Sequence, residues 1–195
     1  IIFENSNTKN TYYEINISCP NLFGNVSFYL SQNFGELLSA IDGLKLKKPL
    51  FVKMPIELSD SQTLKLLDIV VKHAVKGVIF GNLQKNRKDP AFDPKEVSNF
   101  KNGNFSGLPT QKRSDELIAL CYKNYGNKLL IIGCGGVFSP EDAYRKIKLG
   151  ASLVQLITGL IYEGPLLVAR INQDLPKLLK KDGLKNISEA VGADS

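Results

Sequence analysis

Five short apolar runs, each followed by a stretch with helical spacing, set the pattern of this chain. The runs are Tyr12 to Ile17, Leu50 to Met54, Gly77 to Phe80, Leu129 to Ile132 and Leu153 to Ile157. Runs this short, apolar and rich in β-branched residues predict strands buried on both faces, the kind found in parallel sheets. Between them, Phe34, Leu37, Leu38 and Ile41 share one helical face, and Leu64, Leu67, Val71 and Ala74 share another within a helix expected from Ser59 to Val75. Ser59 with Gln62 makes a capping box, and Ser139 followed by Pro140, Glu141 and Asp142 is a strong helix start. A last helix is expected from near Pro165, carrying Leu167, Ile171, Leu175 and Leu178, with Pro176 kinking or splitting it and Gly183 ending it. The order is strand then helix, repeated, which predicts an α/β fold. Five such units suit an open doubly wound sheet or part of a (β/α)8 TIM barrel.

One connection breaks the rhythm. From Asn82 to about Ser114 the chain is rich in Asn, Lys, Pro and Gly, and a loop this long inside a compact domain reads as a functional lid or a disordered segment.

Composition changes this picture little. With 195 residues and 43% hydrophobic content, the chain can bury one sizeable core. No apolar run approaches the roughly 20 residues that span a bilayer, and no signal-peptide layout opens the sequence, so a cytoplasmic protein is expected. Cys19, Cys121 and Cys134 lack CxxC spacing, which points away from a disulfide framework or a zinc site. The net charge of +6 comes from clusters such as Lys45, Lys47 and Lys48, or Lys177, Lys180 and Lys181. These read as solvated helix ends and loops, with attraction of an anionic ligand or nucleic acid as the alternative. His73 falls within the second helix, away from strand ends, so histidine triads and histidine-containing metal sites are not expected.

The candidate chemistry lies where strands end. Asn16-Ile17-Ser18-Cys19-Pro20-Asn21 brackets a thiol with two carboxamides. A carboxamide recognises planar amides or carboxylates, and a thiol can be tuned to accept a proton; a buried cysteine beside an Asx turn is the bland alternative. Lys53 interrupts an otherwise apolar strand and needs an anionic partner, either a bound ligand or a structural ion pair. Gly133-Cys134-Gly135-Gly136 follows a strand and precedes a capped helix, a place where free backbone amides bind phosphate. Thr158-Gly159 after the next strand strengthens that reading, because the loops after strands seven and eight of a barrel form its common phosphate site. Asn82 at a strand end and Ser106-Gly107 in the long loop are individually ordinary turn residues.

Taken together and in order, these segments resemble the dihydroorotate dehydrogenase family, FMN enzymes of pyrimidine synthesis built on a (β/α)8 barrel. The resemblance covers about residues 12 to 194 and adds Phe51-Val52-Lys53-Met54-Pro55, Phe105-Ser106-Gly107 and the run from Gly150 to Thr158. It implies that Asn16, Asn21 and Asn82 hold the dihydroorotate or orotate ring and that Cys19 is the catalytic base. It implies FMN contacts from Asn16, Lys53, Gly81, Ser106, Gly107, Gly135, Gly136, Ile157 and Thr158, with Lys53 beside the flavin's pyrimidine edge. Leu83 stands where the family usually has a substrate-touching Ser or Thr. Cysteine as base is typical of the family's soluble class, whereas the tail from Gly150 through Glu163-Gly164-Pro165 to Gly192-Ala193-Asp194 looks like the quinone-using class. The acceptor is expected to be a quinone, with fumarate or another subunit as alternatives.

Residues 1–195 then read as the catalytic barrel, incomplete at its N-terminus by about three strands. Peripheral attachment to the inner face of the cytoplasmic membrane would come through that N-terminal part, and no nucleic acid partner is expected. Two other readings stand beside this one. The first is a flavin barrel of the tRNA-dihydrouridine synthase kind; the second is a catalytically silent half-barrel.

Overall fold

The computed structural model describes residues 2, 4, 6, 9–18, 28–29, 31–89 and 92–195. Five strands form one wholly parallel sheet in sequence order: β1 (Tyr13–Asn16), β2 (Leu50–Lys53), β3 (Gly77–Phe80), β4 (Leu130–Cys134) and β5 (Leu153–Gln155). Strand order that follows chain order is what tandem right-handed βα units produce. Helices α1 (Ser31–Asp42), α2 (Asp60–Val70), α4 (Gln111–Tyr125) and α5 (Pro140–Lys148) connect them, with the short α3 (Pro94–Ser98) inside the long connection. After β5 come α6 (Thr158–Glu163), α7 (Leu167–Lys181) and α8 (Ile187–Ala190).

Side chains alternate across the strands, and the two faces meet different partners. Tyr13, Ile15, Val52, Val78 and Ile131 point outward into the main core with Phe34 and Leu38 of α1, Leu66 and Leu67 of α2, and Leu117 and Ile118 of α4. Phe51, Ile79 and Ile132 point the other way and pack with Tyr12 and Cys134. In a flat sheet, four inter-strand steps would hold β1 and β5 roughly 19 Å apart. Gln155 of β5 nevertheless donates from Nε2 to Tyr12 Oη at 3.0 Å and to Glu14 Oε2 at 3.2 Å. The sheet is therefore curled, with its first and last strands facing across a concave inner surface, as in an arc of a barrel.

Both caps read from the sequence form. Ser59 and Gln62 make the reciprocal capping box of α2, and Ser139 Oγ accepts from the Asp142 amide at the start of α5. Three expectations are corrected. α2 ends at Val70, so His73 lies in the following turn, where its Nδ1 meets Asp42 Oδ2 at 2.7 Å and ties α2 to the end of α1. The last helix is preceded by the separate α6 and runs unbroken through Pro176. Pro176 and Asn172, whose carbonyl loses the bond, are both exposed, so water can take the missing donor's place.

The third correction concerns the disordered alternative for the long connection, which has structure of its own. An antiparallel bridge pairs Gln84 with Phe105, and Phe92 stacks on Phe105 with ring centroids 4.2 Å apart. Arg87 donates to the carbonyls of Val97, Phe100 and Gly103. The excursion closes on itself and delivers Ser106 and Gly107 to the start of α4.

Candidate active site

The C-terminal ends of the strands converge on one cavity. Lys53 closes β2, Gly81 and Asn82 follow β3, Ser106 and Gly107 close the long connection, Gly135 and Gly136 follow β4, and Ile157 and Thr158 follow β5. All nine line the same pocket, together with Leu83, Thr110, Cys134, Val137, Leu156 and Gly159. This pocket shares Ser106 and Thr158 with a cleft of about 710 Å³ under the long connection. On its other side it shares Lys53, Cys134, Leu156 and Ile157 with a hollow of about 860 Å³ beside β5 and α7. Cys19 and Asn21 lie outside the described residues.

Asn16 and Asn82, 66 positions apart, are brought together by the ends of β1 and β3. Asn82 Nδ2 donates to Asn16 Oδ1 at 3.2 Å and to Ser18 Oγ at 2.5 Å. Asn16 Oδ1 also accepts from the Ser18 amide at 3.1 Å and the Ser18 hydroxyl at 2.8 Å. Asn82 Oδ1 accepts from the Leu83 amide at 2.9 Å. Both carboxamide oxygens are thus committed within the protein, while Asn16 Nδ2 has no protein acceptor among the described residues. Both Asn82 Nδ2 hydrogens are spent on Asn16 and Ser18, so what the pair offers a ligand is the Asn16 Nδ2 donors, which suit carboxylate or carbonyl oxygens. Ser18, fully buried, holds the pair in place, and sequence reasoning passed over it as part of the turn.

Lys53 sits on the inner face, about one-fifth exposed, with Glu14 Oε1 at 3.7 Å. That separation is an ion pair but lies beyond hydrogen-bond distance, so the three ammonium donors keep their capacity for a ligand. Glu14 is its sole ion-pair partner among the described residues, and that carboxylate is shared with Gln155.

At the other end of the cavity the Gly135-Gly136 turn packs directly on the start of α4. Both residues have positive φ, +108° and +69°, and a Cβ at either position would collide with Thr110 or Gln111. Thr158 Oγ1 and Ser106 Oγ lie 3.0 Å apart across the opening. Burial pushes the Cys134 thiol up from its ordinary range, with Lys53 and Lys146 pulling the other way. Cys121, buried on the outer side, is pushed up to about 12 by the same effect and has no part in the site.

A dihydroorotate dehydrogenase family profile matches residues 2–179. The chain belongs to that family. It is 37% identical over 186 residues to a dihydroorotate dehydrogenase (quinone) of Rippkaea orientalis, covering 93% of this chain and 49% of the relative. A second enzyme of that name, from Thermobifida fusca, is 35% identical over 188 residues, with 94% and 50% covered. Among solved structures, ligand-free DHODH from Eimeria tenella superposes with a TM-score of 0.85 at 26% identity, covering 94% of this chain and 55% of that one. The same protein in complex with ferulenol gives a TM-score of 0.84 at 24% identity. The chain spans about half the length of the curated relatives it matches. Family membership selects the barrel over the doubly wound sheet, and the five βα units described above are an arc of that barrel.

Proposed function

We propose that the protein oxidises dihydroorotate to orotate in pyrimidine synthesis with FMN as its bound cofactor, passing the electrons on to a quinone. The observation that carries this reading is the convergence of Lys53, the glycine turn, Ser106, Thr158 and Asn82 on one cavity at the strand ends, with Asn16 hydrogen-bonded to Asn82 beside it. The donor set suits such a ligand pair. Glycine-turn amides and two hydroxyls fit a phosphate, a lysine fits the electron-rich edge of a flavin, and carboxamide donors fit a small pyrimidine acid.

When bound, FMN would supply the acceptor for a hydride leaving the substrate. The chain's own residues have the remaining tasks. Asn16 and Asn82, joined by Asn21, would orient the substrate ring, and Cys19 would take the proton lost from the neighbouring carbon. Lys53 would hold positive charge where negative charge builds up. Gly107, Gly135, Gly136 and Thr158 would seat the phosphate end, with Gly81 and Ile157 against the ring system. The quinone assignment follows the names of the relatives and the tail after Gly150.

On this reading residues 1–195 supply the C-terminal five units of a (β/α)8 barrel, and turnover needs the strands that complete it. The experiment is to purify the full-length protein, record its visible spectrum and follow orotate formation with a quinone. A yellow protein whose flavin bleaches on adding dihydroorotate is the expected result. A protein that binds no flavin, or whose flavin stays oxidised with dihydroorotate, would overturn the assignment.

A further inference from the structure

Beneath the glycine turn, on the helix-covered side of the sheet, lies a buried polar network that the proposed chemistry does not use. Its centre is Lys146 of α5, which is 0% exposed. The stem of Lys146 reaches inward over Gly133 of β4, where a Cβ would sit 2.9 Å from Lys146 Cδ and 3.1 Å from Ile118 Cδ1. The glycine leaves room for the lysine. Nζ then meets Asp115 Oδ1 at 2.6 Å and Ser114 Oγ at 3.0 Å, both on the first turns of α4.

Hydrogen-bond bookkeeping gives this contact a direction. An ammonium only donates, so Ser114 Oγ accepts from Lys146 and its single proton is left for the strand ends. There it faces the carbonyl of Cys134 at 2.7 Å and that of Phe80 at 3.1 Å. The Cys134 carbonyl is also held by the Gly81 amide at 2.8 Å. The Cys134–Gly135 peptide is trans, so its carbonyl and its N–H point in opposite directions. With the carbonyl pinned toward α4 and Gly81, the Gly135 N–H points away from both, and Gly135 itself lines the cavity. Further along the turn, Gln111 Nε2 holds the Gly136–Val137 peptide by donating to the Gly136 carbonyl at 2.5 Å.

Stability alone does not account for an ammonium here, because an apolar side chain of similar size in place of a buried ion pair is often neutral or stabilising. Burial lowers the lysine's affinity for its proton, and Asp115 opposes that. Asp115 is in turn shared with Arg145 at 2.8 Å.

We propose that Lys146 is a positioning residue for the anionic end of the cofactor, acting through Ser114 to fix the Cys134 carbonyl and so aim the Gly135 amide at a phosphate. This rests on the flavin reading above. It predicts a selective defect, because a loosened amide costs phosphate recognition and leaves contacts with the flavin ring intact.

The test compares FMN with riboflavin, which lacks the phosphate, by fluorescence titration of the full-length apoprotein. Lys146→Met and Ser114→Ala should each weaken FMN about tenfold, the scale of one hydrogen bond to a charged group, while riboflavin changes less than about twofold. Lys146→Met leaves Asp115 its Arg145 partner; if it fails to fold, Ser114→Ala carries the test. The double variant should lose no more than the worse single one, as expected of residues acting in series. Equal losses for both flavins, or unaltered FMN affinity in a folded variant, would overturn the proposal while leaving the flavin reading in place. A wild-type protein that fails to prefer FMN over riboflavin would overturn both.

Discussion

On its outer face the sheet presents Val52 and Val78, both fully buried, to helices that seal them into the main core. On its inner face the same strands carry Phe51, Ile79 and Ile132 low in the arc, and then Glu14, Lys53 and Gln155. The outer face is closed by hydrocarbon, and the charge it holds at Lys146 is paired with Asp115 and hydrogen-bonded to Ser114. The inner face keeps an ammonium and one carboxamide, that of Asn16, whose donors are not all used among the described residues. One side spends its side chains on holding the fold, the other on holding something else. That contrast predicts which substitutions damage chemistry and which damage stability.

The largest effect should come from Cys19. In the full-length protein Cys19→Ala should leave FMN bound, yet slow flavin reduction by dihydroorotate about 10²–10⁴-fold, the range for losing a general base. Stopped-flow reduction at unchanged rate would take the thiol out of the mechanism.

Leu67→Ala tests the opposite face. The side chain is fully buried between α2 and the sheet, and truncating it should cost about 2–5 kcal/mol of stability. Flavin affinity of the protein that remains folded should not move. Weakened flavin binding at temperatures well below the melt would mean that the two faces are less independent than the packing indicates.

Much of this division was readable from the chain and some was not, for physical reasons. The five apolar runs became five strands, although β1 is shorter than Tyr12 to Ile17, β5 stops at Gln155, and β4 extends through Gly133 and Cys134. Parallel strands buried on both sides show no period-two alternation, so the runs revealed strands without revealing which residues face inward. Lys53 was the exception, since a charge in an apolar run marks the face that can accommodate it. Asn16 and Asn82 were each visible as strand-end residues, but their contact depends on the curl of the sheet. Lys146 gave no signal at all. A lysine in the last turn of a helix is ordinary, and only the glycine opposite it, whose role in β4 is space rather than flexibility, makes its burial possible.

Lys53→Met sharpens the comparison further. It removes the inner-face cation while keeping the volume, and Glu14 retains Gln155 as a donor. FMN should be held roughly 10–100-fold more weakly, as for a lost charge-assisted contact, and the flavin's reduction potential should fall because its reduced, anionic form loses a neighbouring positive charge. Normal retention with an unaltered potential would assign Lys53 to its ion pair with Glu14 alone.

The smallest effect concerns Asp142, where the outer scaffold meets the glycine turn. Its carboxylate accepts from the Phe138 amide at 3.0 Å, from Gln111 at 3.0 Å and from Arg145 at 3.0 Å. Burial pushes its pKa up, but the Phe138 amide, the Ser139 hydroxyl and Arg145 together outweigh burial and hold it below the ordinary carboxylate value. A group whose folded pKa is depressed adds stability above its unfolded pKa, and that contribution is lost as pH falls through the folded one. Asp142→Asn keeps an acceptor oxygen and removes the charge. The variant should therefore be less stable than wild type by about 1 kcal/mol or less near neutrality, as for a carboxylate in the first turn of a helix. The gap should narrow as pH drops below about 4, where the unfolded carboxyl protonates. Urea unfolding of both proteins from pH 7 down to pH 3 measures it. A gap that stays constant across that range would mean that the carboxylate acts through shape alone, and that the glycine turn is braced by Gln111 without help from charge.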